Sequence, residues 1–204
     1  MLIDVWVPFV GGGQIHVANL ISRLKKLGVR VTLFHAPNHH TIIRSLWLLW
    51  VIPQAVIYHL FSPLDLIHAH AFAPGLPGKI LSLIISKPII FTVHGSHLMD
   101  TQARGPKSWL ERFILTKIRY THQISVTKSF TKYPNVNKNI SVISNGVDIK
   151  EFNKTKSKKN KQFTLLYVGR DHPTKGLPIL RQAFHQVWQK HPEIKLQLVT
   201  GGRT

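Results

Sequence analysis

Short apolar runs alternate along this chain with segments whose apolar residues recur at helical spacing. Residues 2–7 have the length and composition of a strand. Val17, Leu20, Ile21, Leu24 and Leu27 then recur every three or four positions, which predicts a helix, and Gly28 supplies its stop. Residues 29–34 predict a second strand. Residues 41–60 follow as a long apolar segment, 65–69 as a strand and 77–86 as a helix. Residues 88–93 read as a strand buried on both faces, because Ile89-Ile90-Phe91-Thr92-Val93 is nearly continuous in apolar character.

Beyond a polar loop, Pro106 opens a helix whose predicted stripe is Trp109, Leu110, Phe113, Ile114 and Ile118. Residues 123–126 and 140–143 are short strands. The segment 150–161 breaks the pattern: it holds six lysines and no aliphatic residue, and reads as the start of a second unit or a solvated linker. A strand at 163–168, a helix at 177–190 and a strand at 194–199 then restart it. Strands alternating with helices imply an α/β fold with a Rossmann-like, doubly wound parallel sheet. The expected division is residues 1–150 as an N-terminal domain, 151–162 as a basic linker, and 163–204 as an incomplete second Rossmann-like βαβ unit. One βαβ unit cannot bury both faces of its sheet, so the expectation is that the natural protein continues.

Composition narrows the chemistry. The chain has no cysteine, which removes disulfides, thiolate metal sites and cysteine nucleophiles. Net charge is +19, which attracts nucleic acid, anionic lipid or nucleotide diphosphates. Only eight carboxylates exist, with no pair arranged as in glycosidases and no Asp-x-Asp metal motif. No secretory signal is evident after Met1. Residues 42–61 have about the length of a membrane span. Arg44, Pro53, Gln54 and His59 interrupt them, and they read as a helical region broken near Pro53 that packs on a sheet.

Candidate chemistry clusters at strand ends. Gly11-Gly12-Gly13 lies between a strand and a helix, where glycine lets backbone approach a ligand and the helix start favours an anion; a plain tight turn has the same signature. A dinucleotide fingerprint wants glycine where His16 stands, and an acid near His35, so a nicotinamide oxidoreductase is disfavoured. His68 and His70 end one strand and His94 another, facing the crevice where open α/β sheets bind ligands. A satisfied loop histidine is the alternative for His94. His68 and His70 could ligate metal, but no carboxylate cluster accompanies them, and no metal is expected. Asn145-Gly146-Val147-Asp148 is a turn signal by itself. Gly169-Arg170 and Lys175-Gly176, between a strand and a helix, put two cations at a helix start, a good diphosphate site.

In this order, these five segments resemble family 4 glycosyltransferases of the GT-B fold, over nearly all of the chain. The resemblance implies two Rossmann-like domains and transfer of a sugar, with retention, from a nucleotide-diphosphate donor. It implies that Gly11, Gly12 and Gly13 lie near donor phosphates or acceptor, that catalytic His94 and its neighbour His70 lie near the transferred sugar, that Asn145 lies near the hinge, and that Arg170 and Lys175 clamp the diphosphate. It implies no cofactor beyond the nucleotide-sugar donor, a glycan or lipid-linked acceptor, and a cytoplasmic location at the inner face of the membrane. The family's glutamate pair, seven residues apart, would fall beyond Thr204, so the chain alone is expected to be an inactive fragment.

The competing classes are a basic protein binding RNA or an anionic membrane, and a GT-B nucleotide-sugar epimerase. Against RNA, the aromatics fall at apolar helix and strand positions and not in a basic groove, so no specific nucleic acid is expected. Trp47, Trp50 and Trp109 suit a membrane interface, but the reading slightly preferred places them in the core.

Overall fold

A computed structural model describes residues 1–6, 11–38, 40–95, 105–133, 138–149, 160–169, 171 and 175–200. The chain divides into two compact units, Met1–Val147 and Asp148–Thr204.

The first unit carries six strands: β1 (Leu2–Ile3), β2 (Phe34–His35), β3 (Ile67–His70), β4 (Ile89–Val93), β5 (His122–Ser125) and β6 (Ile140–Val142). Its helices are α1 (Gly12–Lys26), α2 (Thr41–Phe61), α3 (Gly75–Ile84), α4 (Pro106–Thr116) and α5 (Lys128–Thr131). The strands form one sheet in the order β2-β1-β3-β4-β5-β6, and every pairing is parallel. The strand order reverses between β1 and β3, the switch point where such sheets take ligands at their carboxyl ends.

The core follows from strands buried on both faces. Leu2, Ile67, Ala69, Ile89, Phe91 and Val93 are all at most 3% exposed. Helix α3 lies on β3 and β4 at a distance its glycines permit. A Cβ on Gly78 would stand 3.1 Å from Ile89, 3.2 Å from Ala69 and 3.3 Å from Leu2. One on Gly75 would stand 2.8 Å from the Tyr120 hydroxyl and 3.0 Å from Phe91. This helix therefore begins at Gly75, earlier than Pro77, with the proline in its first turn where a missing N–H costs nothing. At the far end of α1, Gly28 takes φ 82°, and its N–H reaches the Lys25 carbonyl while that of Val29 reaches Leu24.

Three expectations change. Helix α2 runs unbroken through Pro53. The proline is exposed, as is Leu49, whose carbonyl loses its partner, so water can satisfy that oxygen while Trp47, Val51 and Ala55 anchor the opposite face. Helix α4 turns Glu111, Ile114 and Leu115 inward, while Trp109 is 67% exposed and stacks on half-exposed Phe113. Of the three tryptophans, only Trp47 belongs to the core; Trp50 is 65% exposed. The face chosen by α4 was not readable from spacing, because apolar residues cover more of that helix than the core can take. The second strand also comes late, at Phe34–His35 instead of 29–34.

The second unit pairs β7 (Thr164–Val168) with β8 (Lys195–Val199) in parallel, joined through α6 (Leu177–Lys190). Gly176 caps α6 with φ 67°, a left-handed conformation that glycine takes without strain. Leu166 and Val168 are 62% and 69% exposed.

Candidate functional site

Three strands of the first unit end side by side at the switch point, and each is followed by one of the predicted segments. After β1, Gly11 adopts an extended conformation and α1 starts at Gly12 with no side-chain cap and no acidic residue in its first turn. Its free amides and dipole therefore point at the crevice uncompensated. Nothing lies within 4 Å of where a Gly12 Cβ would be, so backbone stands open there; a Gly13 Cβ would touch the His94 ring at 3.7 Å.

Histidines fill the next layer. His68 and His70 share one face of β3, with ring centroids 4.0 Å apart. His70 is fully buried, and its Nδ1 lies 3.3 Å from Nε2 of His94, just past β4. His68 Nε2 bonds the Thr92 hydroxyl at 2.7 Å. His16, one turn into α1, brings its ring to 5.0 Å from His94 and 6.2 Å from His70. Ala71, directly after His70, holds φ 64°, a strained value for a residue with a Cβ and a mark of a site that fixes its backbone.

Burial keeps these imidazoles neutral. It lowers His94 to about 4 and His68 to about 3, with neighbouring positive charge adding to the effect, and holds His70 well below its ordinary value. His16 is lowered too, by the same cause. Each ring at neutral pH thus offers one N–H and one lone pair, suited to hydroxyl groups more than to an anion.

A cavity of about 320 Å³ opens beside His94, lined by Val93, Gly95, Ser125, Thr127, Ser129 and Phe130 among others. Its hydroxyls are tied together: Ser125 Oγ donates to the Thr127 carbonyl at 2.7 Å, and Thr127 Oγ1 lies 3.0 Å from Ser129 Oγ. A small pocket of fixed hydroxyls next to a neutral imidazole fits a polyol ligand.

Among the described residues, His16, His70 and His94 also present one nitrogen each within 4.8 Å of one another. Tetrahedral zinc needs its nitrogens about 3.4 Å apart, from Zn–N bonds near ~2.1 Å. The set could hold a borderline transition metal only after His16 closes in. Among the described residues, His70 Nε2 and His94 Nδ1 meet no hydrogen-bond partner of the kind that orients metal-binding histidines.

The fold thus brings together Gly11, Gly12, Gly13, His70 and His94. Asn145 lies exposed after the edge strand β6, with β5 between that strand and β4. Lys175 is exposed at the start of α6 in the second unit, and Arg170 lies outside the described residues. Sequence reading missed His16, whose signal was its place three residues after Gly13, on the first turn. It also missed Ser125, Thr127 and Ser129, whose signal was polar residues at another strand's carboxyl end.

A parallel sheet in this order, with a glycine-led helix and histidines at its switch point, is a Rossmann-like domain. The family model for Glycosyltransferase Family 4 matches residues 10–151, more than half of the chain, and the chain belongs to that family. It is 26% identical to an uncharacterized glycosyltransferase of Methanocaldococcus jannaschii, across 90% of this chain and 56% of that protein. Sucrose-phosphate synthase from Thermosynechococcus elongatus superimposes with a TM-score of 0.75 at 21% identity, across 95% of this chain and 58% of that one. Anabaena HepE, in complex with UDP and glucose, gives 0.64 at 18% identity across 97% and 59%. MnaA of S. aureus with UDP gives 0.63 at 11% identity across 99% and 62%. At such identities the solved structures establish a common fold. The chain spans less than two thirds of each of these proteins.

Proposed function

We propose that this chain supplies the acceptor side, and the opening of the donor side, of an enzyme that moves a sugar from a nucleotide diphosphate to a glycan or lipid-linked acceptor with retention. The observation that carries the proposal is the position of His94, between the uncapped start of α1 and a pocket of fixed hydroxyls. The UDP in HepE and in MnaA supports a nucleotide-diphosphate donor.

In this reading the bond from the anomeric carbon to the diphosphate oxygen breaks and one to the acceptor oxygen forms. The acceptor's hydroxyl proton leaves with the diphosphate. The charge that develops on the leaving group is met by Arg170 and Lys175, so no metal is required. Neutral His94 bonds hydroxyls of the transferred sugar, with His70 behind it fixing the ring. The exposed Leu166 and Val168 of the second unit support the expectation that more chain packs on β7 in the working enzyme. The basic surface supports action at the inner, anionic face of the membrane.

The test is the pair Arg170→Ala and Lys175→Ala, made in the longest protein that the coding sequence yields. Transfer should fall by about 10²–10³ or more, as when an oxyanion donor is removed, and should survive a chelator in the parent enzyme. Unchanged turnover in a folded double variant would overturn the diphosphate assignment.

A further inference from the structure

His16, His70 and His94 come from α1, from β3 and from the residue after β4, and each presents one nitrogen within 4.8 Å of the other two. The last two share a face of the sheet by parity: His70 pairs in register with Thr92, and His94 lies two residues beyond it. Their rings stack at 18°, and Nδ1 of His70 stands 3.3 Å from Nε2 of His94. Two nitrogens on one tetrahedral zinc stand about 3.4 Å apart. The spacing of this pair thus already matches a shared metal ion.

His16 is the member out of place. It has to close by about 1.4 Å at most, from 4.8 Å to ~3.4 Å. It stands half-buried on α1, where rotation of the side chain covers that distance without moving the helix. His68 stays outside the set, because its Nε2 is taken by the Thr92 hydroxyl at 2.7 Å.

Three imidazoles with an open fourth position are a donor set that zinc takes in enzymes, and copper and nickel suit the same ligands. Other features weaken the site. Among the described residues, His70 Nε2 and His94 Nδ1 lack the acceptors that orient such rings, a loss of about 10–100-fold in affinity. The net charge of +19 and the positive end of α1 also oppose a cation. The balance describes an exchangeable ion and not a resident cofactor.

We propose that His16, His70 and His94 form an inhibitory site for a borderline divalent transition metal, zinc above all, which ties α1 to β3 and β4 and occupies the imidazoles that would meet the sugar. The blocking role rests on the transferase reading; the metal binding does not.

The whole chain, stripped with a chelator, is titrated with Co²⁺ and followed in the visible, and then with Zn²⁺ in a calorimeter. A single ion should bind with the intense d–d bands of four-coordinate cobalt, and zinc should displace it. His16→Gln, at a half-buried position outside the core, should weaken binding about tenfold or more and abolish the bands. His94→Gln should do the same. His191→Gln removes an exposed imidazole 3.4 Å from a Glu193 carboxylate oxygen, and should leave both readouts unchanged. Cobalt bound without those bands, binding that survives His16→Gln and His94→Gln, or binding lost in His191→Gln overturns the inference. In the longest protein that the coding sequence yields, zinc should stop transfer and a chelator should restore it. The inhibitory concentration should rise in His16→Gln, with each protein compared with its own metal-free rate. Transfer unhindered at saturating zinc would sink this inference and leave the transferase reading standing; zinc held by the three histidines in a protein that transfers no sugar under any condition would do the reverse.

Discussion

Acid should loosen the first unit through its buried histidines. His94 and His68 titrate at about 4 and about 3 in the folded protein, against an ordinary value of 6.5. Between the folded and unfolded values the unfolded chain binds more protons, so stability rises with pH there. The contribution is fully present above pH ~6.5 and is lost as pH falls from ~6.5 toward ~4. Moving from pH ~7 to pH ~5 costs about 2 kcal/mol for each of these two groups, at ~1.36 kcal/mol per unit. Together that is about 4 kcal/mol, a large part of the roughly 5–15 kcal/mol that holds a domain folded. His70, held still lower by burial and by His68 and His94, adds to the loss in the same direction.

The Met1 amine is lowered by burial to about 6 and destabilises over part of the same interval, so the parent's acid sensitivity alone is not diagnostic. The diagnostic quantity is the difference made by His94→Gln, which keeps a neutral polar side chain and removes the titration. Urea unfolding followed by tryptophan emission, in a Trp188→Phe background that confines the signal to the first unit, measures it. The parent should lose about 2 kcal/mol more than His94→Gln between the two pH values, or about 1 M in midpoint for a slope near ~2 kcal/mol/M. Equal pH dependence in the two proteins would refute the claim that burial holds His94 neutral.

Three other consequences concern packing. Gly75→Ala should destabilise by about 1–3 kcal/mol, because its Cβ would stand 2.8 Å from the Tyr120 hydroxyl and 3.0 Å from Phe91. Gly12→Ala meets nothing within 4 Å and should leave the unfolding midpoint near that of the parent. Phe91→Ala, at a position with 0% exposure that stacks on Tyr120 at 4.4 Å, should cost about 3–5 kcal/mol in the same assay.

The sequence by itself determined the order of the elements, the parallel sheet and the places where chemistry could lie. Ile89 to Val93 read as a strand covered on both sides, and Gly11 to Gly13 marked the passage from strand to helix, with a ligand site and a plain tight turn both compatible with it. Histidines at the ends of two such strands were candidates for one crevice, because parallel strands all end on the same edge. These conclusions rest on local spacing, which the chain carries within a few residues.

The tertiary structure decided what depends on partners far along the chain. That His16 joins His70 and His94 follows from the docking of α1 beside β1, β3 and β4. That α2 passes through Pro53 unbroken follows from the burial of Trp47, Val51 and Ala55 on its inner face and from water on its outer one. That Trp109 stays outside while Glu111 goes in follows from the rotation of α4. The periodicity of α4 could not set that rotation, because the helix carries apolar residues on more than one face.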